Sequence, residues 1–242
     1  MRSLALTLSL ALAGGHLHAQ PARTAAPPTT VTIGGSTVLI PAPPDAADPQ
    51  KLVPELRKMA ELATAPPNRL LVSFVVDGDL QQILKGREIP IERYFMAQTP
   101  RHAEKDIMTR RDFDTVRAVV REQQVEMLKS VKPDVSKWLE ETSKGISGEA
   151  GRPINLSLGE FVPLGILADQ EAMILFGILS QLSVGRGGTS ESKMIVNVSA
   201  IVHAREKVVF LYTYSLYRGE ADIEWAKQVT REWAERFLKA NR

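Results

Sequence analysis

The last third of this chain most limits the folds it can adopt. Apolar and polar residues alternate from Met194 to Val202, and the same alternation returns from Val208 to Tyr214. This period of two is typical of half-buried strands, and the short polar break between the two runs favours an antiparallel hairpin. In the segment that follows, apolar residues recur at three- and four-residue steps: Ala226, Val229, Trp233, Phe237 and Ala240. The pattern predicts a closing helix whose apolar stripe lies on a sheet.

Further strands are predicted upstream of this hairpin. Their segments are rich in apolar and β-branched residues and are bounded by Gly and Pro: an early hairpin of Val31–Ile33 and Val38–Ile40, then Arg69–Asp77, Arg93–Thr99, Asn155–Leu167 and Met173–Val184. We therefore predict an α+β fold over residues 31–242, as a single domain. Its sheet is mostly antiparallel and includes the early hairpin, and the closing helix packs on it with Trp233 and Phe237 buried.

Two shorter helices are predicted in the first half of the chain. Asp48 can cap a helix that starts at Pro49, and apolar residues at helical spacing extend it over Gln50–Ala63, with Pro54 inside its first turns. A second short helix covers Gly78–Leu84.

The middle of the chain is charged and predicted to be helical. This helical insertion covers about 101–144, with Asp112 as a cap. The segment Lys132–Asp134 contains Pro133 and is expected to interrupt the helix, so that a second helix covers Val135–Lys144 and a loop covers Gly145–Pro153. The two helices would form an arm at one edge of the domain.

The first nineteen residues have the pattern of a secretory signal peptide. Arg2 is followed by an apolar run from Leu4 to Ala13, and Ala19 offers a small residue for cleavage. The run is about ten residues, whereas a membrane span needs about twenty. We predict a cleaved signal at 1–19, a disordered lead-in at 20–30 rich in Pro, Ala and Thr, and a periplasmic or secreted protein.

Composition excludes several classes of function. The chain has no cysteine, so disulfides and thiolate chemistry are excluded, and an exported chain of this kind is more typical of bacteria than of eukaryotes. Its 30 basic and 28 acidic residues nearly balance, so the charge excess of a nucleic-acid-binding protein is lacking. The most apolar mature stretch, Met173–Leu182, is too short to span a bilayer, and no integral span is predicted.

The sequence indicates no catalytic residues, no metal site and no cofactor. Beyond residue 19 only His102 and His203 remain as histidines, and neither has the spacing of a metal site or the surroundings of a serine triad. His203 ends a strand and is expected to be structural. Four residues near the end of the Arg93–Thr99 strand are retained as candidate ligand-binding residues: Arg101, His102, Arg110 and Arg111.

The segment Phe210–Asn241 resembles the end of a group of uncharacterised exported bacterial proteins. In these a Tyr-rich strand passes through an acidic turn into a Trp-containing helix that ends in Ala-Asn, as FLYTYSLYRGEADIEWAKQVTREWAERFLKAN does here. Together with the early hairpin, this closure also resembles the PsbP-like/Mog-like α+β sandwich. That resemblance covers the first and last quarters of the chain and implies an accessory or binding protein.

Two main hypotheses about function follow, and a third is an envelope-associated protein held by an uncleaved signal. The first is an exported, non-catalytic accessory or binding protein with an unknown protein or small-molecule partner. The second is an exported hydrolase that uses carboxylate or His102 chemistry. A hydrogen bond between His102 and a carboxylate would favour the hydrolase, whereas a His102 free in solvent would count against it.

Overall fold

A computed structural model of the chain describes residues 26–150, 153–186 and 189–242. The elements run in the order β1 (Thr29–Ile33), β2 (Ser36–Ile40), β3 (Ala46–Ala47), α1 (Pro54–Leu62), β4 (Asn68–Val76), α2 (Asp77–Leu84), β5 (Arg93–Pro100), α3 (Arg110–Ala150), β6 (Ile154–Gln170), β7 (Met173–Arg186), β8 (Thr189–Ala204), β9 (Lys207–Leu216) and α4 (Glu220–Ala240). The predicted signal peptide and residues 20–25 of the predicted lead-in lie outside the described residues. The first strand begins at Thr29, slightly before the predicted start of order at Val31.

Seven strands form one sheet in the order β3-β4-β5-β9-β8-β7-β6, and all neighbours in it are antiparallel. The predicted C-terminal hairpin is β8–β9, and α4 closes it. The prediction of an α+β fold is therefore confirmed, with a mostly antiparallel sheet.

The prediction that the early hairpin joins this sheet is wrong. The strands β1 and β2 form a separate two-stranded sheet. The outer edge of β2 is instead bonded by a side chain, since Asn241 accepts the Leu39 N–H at 2.9 Å and donates to the Leu39 carbonyl at 2.7 Å. These bonds take the place of a neighbouring strand at that residue.

One face of the sheet carries the main hydrophobic core, which α4 covers. Trp233 and Phe237 are fully buried there, as predicted. They pack with the β1–β2 hairpin and with inward-facing residues of the sheet such as Phe74, Phe95 and Leu211. The three-and-four spacing read from the sequence therefore marks the buried face of α4.

The first helix begins at Pro54, four residues after Gln50, the first residue of the predicted helical range. Asp48 does accept the Gln50 N–H at 2.8 Å, but the next residues form turns, and α1 starts at Pro54. Proline has no N–H to donate and disfavours a helical conformation in the residue before it, so it fits the first position of a helix and not an interior turn.

The predicted interruption of the middle segment is wrong as well. The helix α3 runs without a break from Arg110 to Ala150, through Pro133 and into the first part of the predicted loop. Tertiary contacts hold its second half, since Thr142 donates to the Leu62 carbonyl at 3.2 Å and Ser143 accepts the Leu156 N–H at 2.8 Å. Such contacts offset the backbone hydrogen bond that Pro133 removes.

Candidate functional site

The second face of the sheet, opposite α4, carries the candidate site. Cross-strand pairing aligns its residues in rows, because directly opposed residues of antiparallel strands share a face. One row runs through Met96, Tyr212, Ser199 and Phe176. The next row runs through Gln98, Phe210, Ile201 and Ile174. The alternate residues of the same strands, such as Leu211 and Ala200, point into the main core.

The first half of α3 packs over part of this face. Phe113 and Val120 are buried against Ile174, Phe176 and Ile201. Between the helix and the sheet remains a cavity of about 540 Å³. This volume lies within the range of about 300–1,000 Å³ that is typical of small-molecule sites.

Apolar side chains form most of the cavity wall. The floor consists of sheet residues, namely Phe176, Ser199, Ile201, Phe210 and Tyr212. The roof is the α3 stripe of Val116, Val119 and Val120. Val119 is 39% exposed although it lines the cavity, so this part of the roof also borders solvent.

The third wall is the short segment after β5. A 3-10 turn at Arg101–Ala103 brings Pro100, His102 and Ala103 to the cavity, and Met108 follows. Buried Lys207 fixes this segment, because its Nζ donates to the carbonyl oxygens of Glu104 at 3.0 Å and Asp106 at 2.7 Å.

Two further contacts hold the same segment and the start of α3. Arg69 pairs with Glu104 at 2.7 Å. His203 stacks on Phe113 with ring centroids 5.2 Å apart, and its Nε2 lies 2.7 Å from the Met108 carbonyl oxygen. His203 therefore has the structural role predicted from its place at a strand end.

An ionic contact anchors the side of α3 that borders β6. The Arg117 Nε donates to Asp169 at 2.7 Å, and Arg121 pairs with the same carboxylate. Arg117 and Asp169 are mostly buried, so this contact is better shielded from solvent than an exposed pair. It fixes the cavity roof at the end of the sheet.

The polar groups of the floor belong to a hydrogen-bonded network. Ser199 is buried and donates to Asn197 Oδ1 at 2.7 Å. The Asn68 side-chain amide donates to Gln98 Oε1 at 3.0 Å. Burial raises the pKa of the Tyr212 phenol, and a side-chain hydrogen bond with Asn68 offsets part of that rise.

Tyr212 also belongs to an aromatic ladder that continues beyond the cavity. It stacks on Tyr214 with centroids 6.1 Å apart, and Tyr214 stacks on Tyr94 at 4.6 Å. Burial raises the pKa of Tyr94 to about 12, and burial together with the neighbouring phenols raises that of Tyr214 further above its usual range. All three phenols are therefore neutral at physiological pH.

Of the four candidate residues from the sequence, the cavity includes His102 alone. His102 is exposed, so it lies where the cavity meets solvent. Among the described residues its ring has no hydrogen-bond partner, and no carboxylate is bonded to it. The other three point to other partners or to solvent: Arg101 donates to the Pro66 carbonyl at 3.2 Å, Arg110 pairs with Glu171, and Arg111 is exposed. Their proposed role in ligand binding stays a prediction.

Sequence reasoning missed the cavity floor. The alternation of β8 and β9 contains the necessary signal, because every second residue of a strand lies on the same face of the sheet. Ser199 and Ile201 therefore lie on the face opposite to that of Ala200. In the same way, Phe210 and Tyr212 lie on the face opposite to that of Leu211. The helix that covers the second face of the sheet was not predicted. That α3 covers it follows from its packing against β7 and β8, which no local pattern indicates.

The site is a mostly apolar cavity with few polar groups. Its lining contains no carboxylate, and the buried Ser199 hydroxyl bonds to an amide and not to a histidine. In the part of the chain that the structure describes, no group of three His, Asp or Glu side chains could hold a metal ion. Within the same residues, no helix has the length and apolar character needed to cross a membrane.

Comparison with known proteins gives two weak structural matches. The chain is similar to the Ran-binding protein Mog1p of Saccharomyces cerevisiae, with a TM-score of 0.32 and 10% identity over 90% of this chain and 93% of the other. A point mutant of protein Mog1 matches with a TM-score of 0.31 and 10% identity over 88% of this chain and 92% of the other. No family model and no curated protein matches the chain. TM-scores at this level carry no argument about function.

Proposed function

We propose that this chain is an exported, non-catalytic binding protein that holds a small apolar molecule between α3 and the second face of its sheet. The observation that carries this proposal is the cavity of about 540 Å³. Ligand sites of this kind are concave, mostly apolar and largely preformed.

The walls of the cavity support a preformed site. The floor is a hydrogen-bonded sheet, and the segment after β5 is held by Lys207 and by the Arg69–Glu104 ion pair. The roof is attached through the Phe113–His203 stack and the Arg117–Asp169 contact. A ligand would therefore need little rearrangement of these contacts, which lowers the cost of binding.

The alternative of a hydrolase has less support. A histidine acting as a general base commonly depends on a group that orients it, and His102 has no carboxylate partner among the described residues. Besides His102, the ionisable group in the cavity lining is the Tyr212 phenol, and burial raises its pKa, so that it stays protonated at neutral pH.

The binding proposal is tested with a neutral fluorescent probe, N-phenylnaphthylamine, whose emission rises in apolar surroundings. Val119→Phe places extra carbon atoms into the cavity roof and should weaken probe binding by about tenfold or more, since added volume in a packed site costs about 1–3 kcal/mol. Val125→Phe is the matched control. Val125 lies on the same helix and is 48% exposed, but it is not part of the cavity wall.

Equal binding by the wild type and Val119→Phe would overturn the proposal. So would equal weakening by Val119→Phe and Val125→Phe, because that result would place the probe on the surface of α3. A lack of any probe binding by the wild type would also overturn the proposal.

Export has its own test. The full chain is expressed in a bacterium, and the mature N-terminus of the protein from the periplasm is determined by mass spectrometry. We expect it near Gln20, whereas retention of the intact N-terminus in the cytoplasm would contradict export.

A further inference from the structure

The cavity under α3 opens to solvent on one side. Three residues of its lining are exposed, namely His102, Thr115 and Val119, and the other lining residues are buried or half-buried. Thr115 and Val119 lie about one helical turn apart, so they share a face of α3. His102 belongs to the 3-10 turn after β5. The mouth of the cavity is therefore the gap between this turn and that face of α3.

Ionic contacts close the other flank of α3. Arg117 and Arg121 both pair with Asp169 of β6 on that side. Arg117 is two residues from both Thr115 and Val119, so its side chain leaves the helix on nearly the opposite side. The open side of the cavity is therefore the side of His102, and the closed side is that of β6.

The inner end of the cavity is mostly apolar. Its lining includes four apolar residues that are at most 8% exposed: Val120, Phe176, Ile201 and Val208. Ser199 is also buried there, and its one hydroxyl proton is donated to Asn197 Oδ1 at 2.7 Å. The other hydroxyl of the floor is the half-buried phenol of Tyr212.

The mouth is more polar than the inner end. His102 is exposed, and no hydrogen bond to its ring is present among the described residues, so the ring nitrogens are available to a ligand or to water. Thr115 donates its hydroxyl proton to the Arg111 carbonyl at 3.2 Å, and its oxygen can still accept a hydrogen bond. The lining contains no lysine, arginine, aspartate or glutamate, so an ionised group at the inner end would have no charged partner.

We propose that the ligand of this cavity is a single-chain amphiphile, such as a long-chain alcohol or fatty acid, with its tail on the floor and its polar head at the mouth between His102 and Thr115. The head then stays hydrated, while burial of the tail supplies the free energy of binding. A molecule with a charged group at each end fits poorly, because one charge must enter the apolar end. This assignment rests on the proposed function, since it needs the cavity to be the binding site.

Three probes of equal carbon number test this orientation: 1-decanol, decanoate and decanedioate. Each is titrated against N-phenylnaphthylamine bound to the purified protein as it is recovered from its host. We expect decanol and decanoate to displace N-phenylnaphthylamine. Decanedioate should bind at least about tenfold more weakly than decanoate, because its second carboxylate would lose its hydration without a paired cation.

A cation introduced at the mouth tests where the head lies. Thr115→Lys should tighten decanoate binding by about two- to fivefold, the range of a solvent-exposed ion pair, and should leave decanol binding unchanged. The gain should disappear at high salt. Val125→Lys is the matched control, because Val125 is exposed about 15 Å further along α3 and is not part of the cavity wall. It should leave the binding of both probes unchanged.

The outcomes separate the two proposals. If decanedioate binds as tightly as decanoate, or if Thr115→Lys and Val125→Lys change decanoate binding equally, the orientation is overturned and the apolar site stands. If N-phenylnaphthylamine binds but neither decanol nor decanoate displaces it, the assignment of an amphiphile is overturned. If N-phenylnaphthylamine does not bind at all, the proposed function itself fails.

Discussion

Trp233 donates its indole N–H to the carbonyl oxygen of Pro41 at 2.8 Å, and this bond joins α4 to the end of the β1–β2 hairpin. The indole ring also meets Phe74 and Phe95 nearly edge-on, with centroids 5.9 Å apart in both pairs. The hairpin shares no strand pairing with the main sheet, so contacts of this kind attach it to the domain.

Replacing Trp233 by Phe should therefore destabilise the protein strongly. The substitution removes ring volume from a fully buried site and leaves the Pro41 oxygen without its indole donor, so we expect the free energy of unfolding to fall by about 2–4 kcal/mol. Urea unfolding followed by circular dichroism measures this loss. Trp225→Phe is the control. Because Trp225 is only partly buried, this substitution should lower the free energy of unfolding by less. Equal losses in the two variants would contradict the importance of the Trp233–Pro41 contact.

The turn of the same hairpin offers a second prediction. Gly34 has φ +53°, and a Cβ at this residue would lie 1.7 Å from the Glu104 carbonyl oxygen, in the segment that forms one cavity wall. Gly34→Ala must displace that segment and should lower the free energy of unfolding by about 2–4 kcal/mol. Gly35 has φ +88° and open space around it. Gly35→Ala should therefore lower the free energy of unfolding by only about 1 kcal/mol, which is the cost of a left-handed conformation in a residue with a Cβ. Thermal unfolding of both variants checks the ranking, and a loss at Gly35 as large as that at Gly34 would refute the steric explanation.

The start of α4 depends on the ionised carboxylate of Asp222. Burial by itself would raise its pKa, but the Arg218 backbone N–H at 2.9 Å and the Arg93 guanidinium at 3.0 Å outweigh this effect, and the pKa lies below its ordinary value of 3.8. Asp222→Asn should lower the free energy of unfolding by about 2 kcal/mol at neutral pH.

The sign of the pH dependence of Asp222 follows from its lowered pKa. The contribution of the ionised group is complete well above pH 3.8 and is lost as the pH falls through the folded-state pKa. Urea unfolding at a series of acidic pH values should therefore show a smaller loss of stability in Asp222→Asn than in the wild type. Glu224→Gln serves as control, because Glu224 is exposed on the same helix and should change stability by no more than about 0.5 kcal/mol. An unchanged acid profile in Asp222→Asn would disprove this role.

The aromatic ladder predicts a loss of stability in alkali. The phenols of Tyr94, Tyr212 and Tyr214 have pKa values above the ordinary 10.0, and that of Tyr94 is raised to about 12. Above pH 10 the unfolded chain releases these protons while the folded chain keeps them, so stability is complete below pH 10 and falls as the pH rises towards 12.

The midpoint of urea unfolding, measured between pH 9 and about 12, checks this prediction. Tyr94→Phe should flatten the decline, because it removes one of the groups that cause it. Phenolate absorbance of the folded protein should rise late, with the unfolding transition. Early titration of all tyrosines in the folded protein would show that the ladder is open to solvent.

The sequence predicted some elements well, for reasons that are local. The buried face of α4 was predicted because Trp233 and Phe237 lie on the same stripe at helical spacing, and the β8–β9 hairpin because alternation and a polar turn specify a strand pair. The two errors about helices both involve proline. Pro54 starts α1, although it was predicted to lie inside the helix, and Pro133 is accommodated inside α3, although a break was predicted there. The first follows from local sterics, but the second depends on contacts of α3 with residues far along the chain.

The chain by itself therefore determined the class of fold, the strands and the buried stripe of the closing helix, because these depend on periodicity within short segments. Tertiary structure alone decided that α3 covers the second face of the sheet and that His102 and Tyr212 line the same cavity. It also decided that the β1–β2 hairpin forms a sheet of its own, and that Asn241 is hydrogen-bonded to the edge of β2. These features depend on which distant surfaces pack together, and the free energy of that packing comes from apolar area and hydrogen bonds summed over many residues, which no local pattern contains.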